Sequence, residues 1–256
     1  MTPVLAFDIE TVPDCAGIRR LYDLPDSLSD QEVAEVAFQK RRTQTGSDFL
    51  PPQLHKVVVI SCVLREGDGV KLFSIGEPER EAIQRFFDGI EKLVPQLVSW
   101  NGSGFDLPVL NYRSLVHRIS APTFWDTGDG NRDFRFNNYI SRYHARHLDL
   151  MDVLAMYQPR NNARLDEVAQ LAGLPGKIGM QGSAVWENYR AGKIDEIRNY
   201  CEADCANTYL LFLRFQLLRG VFSKDFYRKE TQLLRNHLKD LDKPHWREFL
   251  QRWNEA

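Results

Sequence analysis

Two carboxylates stand two residues apart at the end of an apolar run, Val4-Leu5-Ala6-Phe7-Asp8-Ile9-Glu10. Such a run reads as a buried strand, and strand side chains alternate between faces, so Asp8 and Glu10 share one side. Two unit charges about 4 Å apart repel by roughly 4 kcal/mol at an effective dielectric of about 20. A fold that keeps the pair either exposes the strand end or sets a cation between the acids. The same spacing recurs at Asp30 and Glu32, inside a polar segment where solvent accounts for it. A second pattern, Trp100-Asn101-Gly102-Ser103-Gly104-Phe105-Asp106, follows a short strand and precedes a helix. Its glycines permit a tight turn, and Asp106 is either a helix cap or a third acid of a site. The third glycine and the βαβ setting of a dinucleotide fingerprint are missing. A third pattern, Tyr200-Cys201-Glu202-Ala203-Asp204, lies in a long helical stretch. Positions four apart share a helical face, so Tyr200 and Asp204 point the same way. Tyr22 and Asp26 repeat that spacing in the polar segment, and a single copy is equally an exposed pair.

The patterns FDIET, WNGSGFD and YCEAD occur in the order strand, strand-to-helix turn, late helix. Together they resemble the DEDD superfamily of 3′–5′ exonucleases. The tyrosine four residues before Asp204 is similar to the tyrosine subgroup; the histidine subgroup would have histidine where Asn199 stands. The wording of LDLMDVL and GKIGMQGS resembles stand-alone bacterial proteins related to the proofreading domain of family B DNA polymerases. The resemblance spans about residues 3 to 215. It implies an α/β, ribonuclease H-like fold: a mixed β-sheet flanked by α-helices, with a helical insertion after strand 1 and extra C-terminal helices. It implies a metal-dependent 3′–5′ exonuclease acting on single-stranded DNA or unpaired 3′ ends. RNA or short oligoribonucleotides are the alternative substrates, and a non-catalytic nucleic-acid-binding module is the rival of a different class. The implied catalytic set is Asp8, Glu10, Asp106, Tyr200 and Asp204, and the four acids among them would hold two divalent cations, Mg2+ or Mn2+. Such hard ions favour oxygen ligands. By the resemblance, Asp8 bridges the ions, Glu10 and Asp204 complete the water-activating site, and Asp106 holds the second ion. Tyr200 orients the attacking water, since a phenol of pKa about 10 is a poor base at neutral pH. Four close carboxylates without metal should titrate as a coupled set, some of them raised.

Substrate contacts are less sharply marked. Arg132, Arg135, Arg142 and Arg146 interleave with Phe134, Phe136, Tyr139 and Tyr143, and Arg160 and Arg164 follow. Arginines that hold phosphates beside aromatics that stack bases suit a single strand, with Arg135, Arg142 and Arg146 as the candidate contacts. The alternative is buried aromatics and solvated arginines. Asn101 and Phe105 are candidates for the terminal nucleotide, with packing the alternative for Phe105. The segment GLPGKIGMQG fails the Walker A spacing. The resemblance places it near substrate, with Lys177 as a phosphate contact; a plain interhelical loop is the other reading. Asp149 supports the site at most indirectly. Cys201 and Cys205 flank the Tyr200–Asp204 stripe and read as core, not zinc ligands, and no nucleophile elbow marks a serine hydrolase.

The elements that must position these residues follow from periodicity. Val4–Ile9, Val57–Leu64, Val70–Ser74, Leu97–Trp100 and a start at His147 read as strands. Glu79–Val94, Leu107–Arg118, Arg164–Ala172, Ala184–Arg190 and Ile194–Arg219 read as helices. Residues 121–146 read as irregular, about 21–52 as the insertion, and about 220–256 as the C-terminal helical extension of a single domain, 1–256. With 256 residues and 33 basic against 35 acidic side chains, the net charge of −2 excludes a general cationic coat. Nucleic-acid contacts must therefore be local. The four cysteines are too sparse for a disulfide framework and suit a reducing compartment. No basic leader or membrane-length apolar run is visible, so a cytoplasmic location with no membrane partner is expected. No polymerase domain fits this length, so any proofreading would act in trans, with a polymerase or repair partner.

Overall fold

A computed structural model describes residues 2–254; Met1, Glu255 and Ala256, the outer ends of the expected 1–256 span, lie outside the described residues. The strands are β1 (Val4–Pro13), β2 (His55–Glu66), β3 (Gly69–Gly76), β4 (Gln96–Ser99) and β5 (His147–Asp149). The described helices are α1 (Cys15–Leu21), α2 (Asp30–Thr45), α3 (Glu79–Leu93), α4 (Asp106–His117), α5 (Pro122–Trp125), α6 (Leu150–Leu154), α7 (Leu165–Leu171), α8 (Val185–Arg190), α9 (Ile194–Leu218), α10 (Lys224–Leu241) and α11 (Pro244–Arg252). The strands form one mixed sheet in the order β3-β2-β1-β4-β5. β1 pairs antiparallel with β2 and parallel with β4, β2 is antiparallel to β3, and β4 is parallel to β5. Helices cover both faces, so the α/β mixed sheet expected from the sequence is the observed architecture.

Alternation along β1 sets the two layers. Leu5, Phe7 and Ile9 face α3 and α4, packing with Ile83, Phe86, Phe87, Val109 and Leu110. Val4 and Ala6 face α9, packing with Ala203, Ala206 and Leu210. Asp8 and Glu10 continue the α9 side of the strand. α9 is buried at nearly every position from Tyr200 to Leu213, which fits a helix enclosed between the sheet and α10 rather than an amphipathic surface helix. The parallel strands β1, β4 and β5 all end on the side where these acids emerge. Strand C-terminal ends are where open α/β sheets bind ligands.

The insertion starts earlier than its composition suggested. β1 runs on to Pro13, and Asp14 caps α1 by accepting the Gly17 N–H. α2 opens with a Ser29/Glu32 capping box and closes at Gly46, whose φ of 76° suits glycine. Ile18, Val33, Ala34, Ala37, Leu50 and Leu54 give this lobe its own small core. At the other end, α10 packs on α9 and β3. Its His237 Nε2 accepts the Leu72 N–H at 3.0 Å, and its Glu230 pairs with Arg65 of β2 at 2.6 Å. The extension thereby covers the β3 edge, which would otherwise offer unpaired backbone. Among the described residues, no helix is long and apolar enough to cross a membrane.

Candidate active site

β1 delivers Asp8 opposite Ser61 and Glu10 opposite Val59. Directly after Glu10 the register slips, with Thr11 opposite Val57, a bulge of the kind that re-aims side chains. Asp106 joins this strand from the neighbouring layer. Its Oδ1 accepts the Ile9 N–H at 3.2 Å, so the start of α4 is tied to the backbone between the first two acids. Asp106 is the first residue of α4 and does not cap it; no side chain does. The cap alternative therefore gives way to a cross-strand hydrogen bond.

The loop before α4 is built around small residues. Asn101 takes the left-handed conformation at φ 65°. A side chain at Gly102 would put its Cβ 2.3 Å from Ser99 Oγ. At Gly104 it would meet Asn101 Oδ1 at 2.5 Å, so the Asn101 amide lies over that glycine. Asp149, at the end of β5, accepts the N–H groups of Asn101 at 2.9 Å and Ser103 at 2.8 Å. It holds the loop, which is a larger part than its place in the sequence suggested. His147 Nε2 and Ser99 Oγ, 2.8 Å apart, close the base of the turn.

α9 supplies the remaining groups from the opposite layer. Tyr200 and Asp204 lie one turn apart on one face of α9, as their spacing predicts, and the Tyr200 phenol opposes the rise of the Asp204 carboxyl. Cys201 Sγ donates to Asp8 Oδ2 at 3.3 Å and lies with Asp8 and Glu10 in one cluster of ligand atoms within 4.8 Å of one another. One turn further on, Asn207 accepts the Gly176 N–H at 3.2 Å and donates to the Gly176 carbonyl at 2.8 Å. That clamp fixes the 173–182 loop to the helix bearing Tyr200 and Asp204. It brings Lys177 Nζ to 5.2 Å from the Tyr200 ring centre.

Charge in this region is uncompensated. Burial and then repulsion from Asp106, Glu10 and Asp204 push the Asp8 carboxyl well up, with the Cys201 thiol opposing. Glu10 rises by burial and by Asp204 and Asp106, with Lys177 opposing. Burial raises Asp106 to about 7, with backbone N–H groups opposing. Burial raises Asp204 to about 6, with Lys177 and Tyr200 opposing. The Tyr200 phenol is pushed well above its ordinary range by burial and then by Asp204 and Glu10, so it stays protonated. Among the described residues, no lysine or arginine forms an ion pair with any of these acids. Asp204 Oδ1 is buried without any hydrogen-bond partner. Buried charge without partners is costly. An all-carboxylate set with an orphaned oxygen fits hard divalent cations, which take oxygen ligands.

The remaining sequence candidates divide. Lys177 is brought to the acids. Phe105 packs in a ring cluster with Phe49 and His55. The aromatics of the 134–143 stretch split, with Phe134 and Tyr139 buried and Phe136 and Tyr143 exposed. Arg146 lies 4.2 Å over Phe134 and donates to the Asn137 carbonyl, inside its own loop. Arg142 pairs with Asp152 at 3.0 Å and lies against Tyr143 and Tyr157, while Arg135 lies against exposed Phe136. Sequence reasoning missed the Cys201–Asp8 contact, the Asn207 clamp and Phe49. Helical spacing from Asp204 marked Cys201 and Asn207 as neighbours on its stripe; for Phe49, at the end of a polar insertion, no local signal existed.

A family described as a predicted 3′–5′ exonuclease related to the exonuclease domain of PolB matches residues 47–253. That span includes Asp106, Tyr200 and Asp204 and begins after β1. A DNA polymerase of Archaeoglobus fulgidus is 25% identical over 200 residues, 76% of this chain and 25% of that protein. The solved family B DNA polymerase of the hyperthermophilic archaeon Pyrobaculum calidifontis has a similar fold, with a TM-score of 0.52 at 18% identity. The likeness covers 85% of this chain and 25% of that one. The chain thus corresponds to about a quarter of the length of either relative.

Proposed function

Because the chain belongs to the family of predicted 3′–5′ exonucleases related to the exonuclease domain of PolB, we propose that it is a metal-dependent 3′–5′ exonuclease of the tyrosine subgroup. Its substrate is single-stranded DNA or the unpaired 3′ end of a duplex. In this reading residues 1–256 form one exonuclease domain, of the kind found in the stand-alone bacterial proteins that its LDLMDVL and GKIGMQGS segments resemble. The observation that carries the reading is the meeting of Asp8, Glu10, Asp106 and Asp204 at one end of the sheet, mutually repelling and with no ion pair among the described residues.

Asp8, Glu10, Asp106 and Asp204 would hold two divalent ions, Mg2+ or Mn2+. Bound there, such ions acidify a water and stabilise both the attacking and leaving oxygens of an in-line displacement at phosphorus. The chain's own residues do the rest. Tyr200, protonated and one helical turn from Asp204, orients a water as donor and takes no proton from it. Lys177, over the Tyr200 ring, faces the phosphate as a mobile point charge. Asp149 keeps Asn101 and Phe105 in place to meet the terminal nucleotide. Arg135 and Arg142, beside exposed Phe136 and Tyr143, line a route for the strand further back. Arg146 acts on substrate only through the loop it braces.

A cleavage time course tests this. Purified protein with Mg2+ or Mn2+ is given 5′-labelled single strands of DNA and of RNA, beside an identically purified Asp8→Ala variant. The expected result is a ladder shortening from the 3′ end, faster on DNA and absent in the variant. A faster RNA ladder would reassign the sugar. Binding without cleavage of either strand would replace the exonuclease with a binding module.

A further inference from the structure

The insertion supplies an exposed ring, Phe49, against Phe105, the chain neighbour of Asp106. Phe49 is 58% exposed, yet its surroundings hold it in place. Its N–H donates to Ser47 Oγ at 3.2 Å, and its carbonyl accepts from Arg41 Nε at 3.0 Å. The next residue, Leu50, is buried in the small core of the insertion. The Leu50 carbonyl lies 3.1 Å from His55 Nε2. A carbonyl only accepts, so Nε2 carries the proton and Nδ1 accepts from Thr11 Oγ1 at 2.8 Å. Burial lowers the His55 pKa, which keeps the imidazole neutral.

The rings form an uncharged aromatic corner. Phe49 and Phe105 are 5.2 Å apart between centroids, His55 and Phe105 are 5.0 Å apart edge to face, and Phe49 and His55 are 5.6 Å apart. Such separations are those of packed aromatic pairs. The corner is anchored through the chain neighbours of two acids: Phe105 precedes Asp106, and Thr11, which holds His55, follows Glu10. A singly exposed apolar side chain needs no explanation. Phe49 differs because it extends a ring cluster whose other members are tied to the chain neighbours of Asp106 and Glu10.

We propose that Phe49 is a specificity-determining residue whose ring, with Phe105, stacks the base of the 3′-terminal nucleotide. The inference rests on the exonuclease reading and deepens it: the enzyme selects its end by a free base as well as by phosphate. Every base has a π-face, so the wall is indifferent to sequence. A paired terminal base is already stacked in its duplex and cannot lie on the wall until it is freed. An end with no base gains nothing from the wall.

The test compares single strands ending in a normal nucleotide with strands ending in an abasic sugar. Wild type is expected to favour the base-bearing end. In Phe49→Ala the fall in kcat/KM, carried mainly by KM, should be about tenfold greater on the base-bearing end than on the abasic one, the scale of one lost stacking contact. Phe49→Trp should restore the preference. A readout without turnover uses a 3′-terminal 2-aminopurine strand with the full-length protein in Ca2+. Its fluorescence should be quenched on binding to wild type and to Phe49→Trp, and much less on binding to Phe49→Ala. Equal losses on both ends, or unchanged quenching in a Phe49→Ala protein that melts like wild type, would overturn the assignment. Failure of the exonuclease reading is separately visible, as no Asp8-dependent ladder on any strand.

Discussion

Among the described residues, two gatherings of buried and half-buried carboxylates are built on opposite terms. On the α3–α4 side of the sheet, Arg113 donates to Glu79 through Nε at 2.8 Å and Nη2 at 2.6 Å, and also pairs with Asp14. His117 adds a contact to Glu79 at 2.7 Å, and the Val57 N–H another. Every charge there has an opposite within the chain, and the cluster ties α3, α4, β2 and the start of the insertion together. At the end of β1, the start of α4 and on α9, Asp8, Glu10, Asp106 and Asp204 form no ion pair among the described residues, Lys177 acts on Glu10 and Asp204 only at longer range, and Asp204 Oδ1 lacks even a hydrogen bond. Both clusters mix buried with half-buried acids, so burial alone does not set them apart. The first cluster is paired by its own arginine; the second keeps its carboxyl groups raised.

The contrast can be broken most sharply by exchanging charge for neutrality in each cluster. Asp8→Asn should reduce cleavage by about a thousandfold or more, an effect of roughly 4 kcal/mol on the barrier, read from initial rates. It should also leave the metal-free protein as stable as wild type or more so, since it removes repulsion. Arg113→Met should do the reverse. It strands two acids, so a loss of about 3–5 kcal/mol is expected in denaturant titration, while the folded fraction keeps its cleavage rate. If Asp8→Asn instead unfolds the protein, the acid cluster is structural and the comparison fails.

Metal addition comes next in size. A cation that binds only the folded state at a hundred times its dissociation constant stabilises by about 2.7 kcal/mol. Millimolar Mn2+ or Mg2+ should raise the melting temperature of wild type and of Arg113→Met, and should not raise that of Asp8→Asn. A shift shared by all three would place the ion elsewhere.

The smallest effect is on pH. Asp106 at about 7 and Asp204 at about 6 lie above the ordinary aspartate value of 3.8. The folded chain therefore holds protons that the unfolded chain has released, and stability falls with rising pH across that interval. Metal-free protein should melt highest near pH 4 and lose stability steadily towards pH 7. Saturating metal, which competes with those protons, should flatten or invert the slope. A metal-free stability that rises from pH 4 to pH 7 would contradict the raised carboxylates.

Much of the acid cluster could be read in advance because its geometry is local. Alternation put Asp8 and Glu10 on one side, and helical spacing put Tyr200 with Asp204. The order of the motifs then implied that the elements meet, and the mixed sheet bears out the fold. What escaped depends on partners distant in the chain. The slip after Glu10 depends on how β2 pairs, and nothing near Thr11 announces it. Whether Phe134 or Phe136 is buried is decided by Tyr139 and Arg146 closing over one and not the other; composition treats them alike. α1 was missed because Asp14 reads equally as loop or cap. Phe49 sits in a polar stretch whose local pattern promises only surface, and its role arises from a fold that brings it to Phe105.

The contact of Cys201 with Asp8 joins groups 193 positions apart. Its consequence is one of timing. Chains with such distant pairings close them late, after the entropy of the long intervening loop has been overcome. The strand with the first acids is made early, but the helix that completes the set is still unsynthesised. Arg252 Nη1, donating to the Lys177 carbonyl at 3.0 Å, completes the bracing of the lysine loop last of all. An emerging polypeptide thus carries scattered carboxylates that are separately harmless, and the four acids gather only once the chain has been made beyond α9.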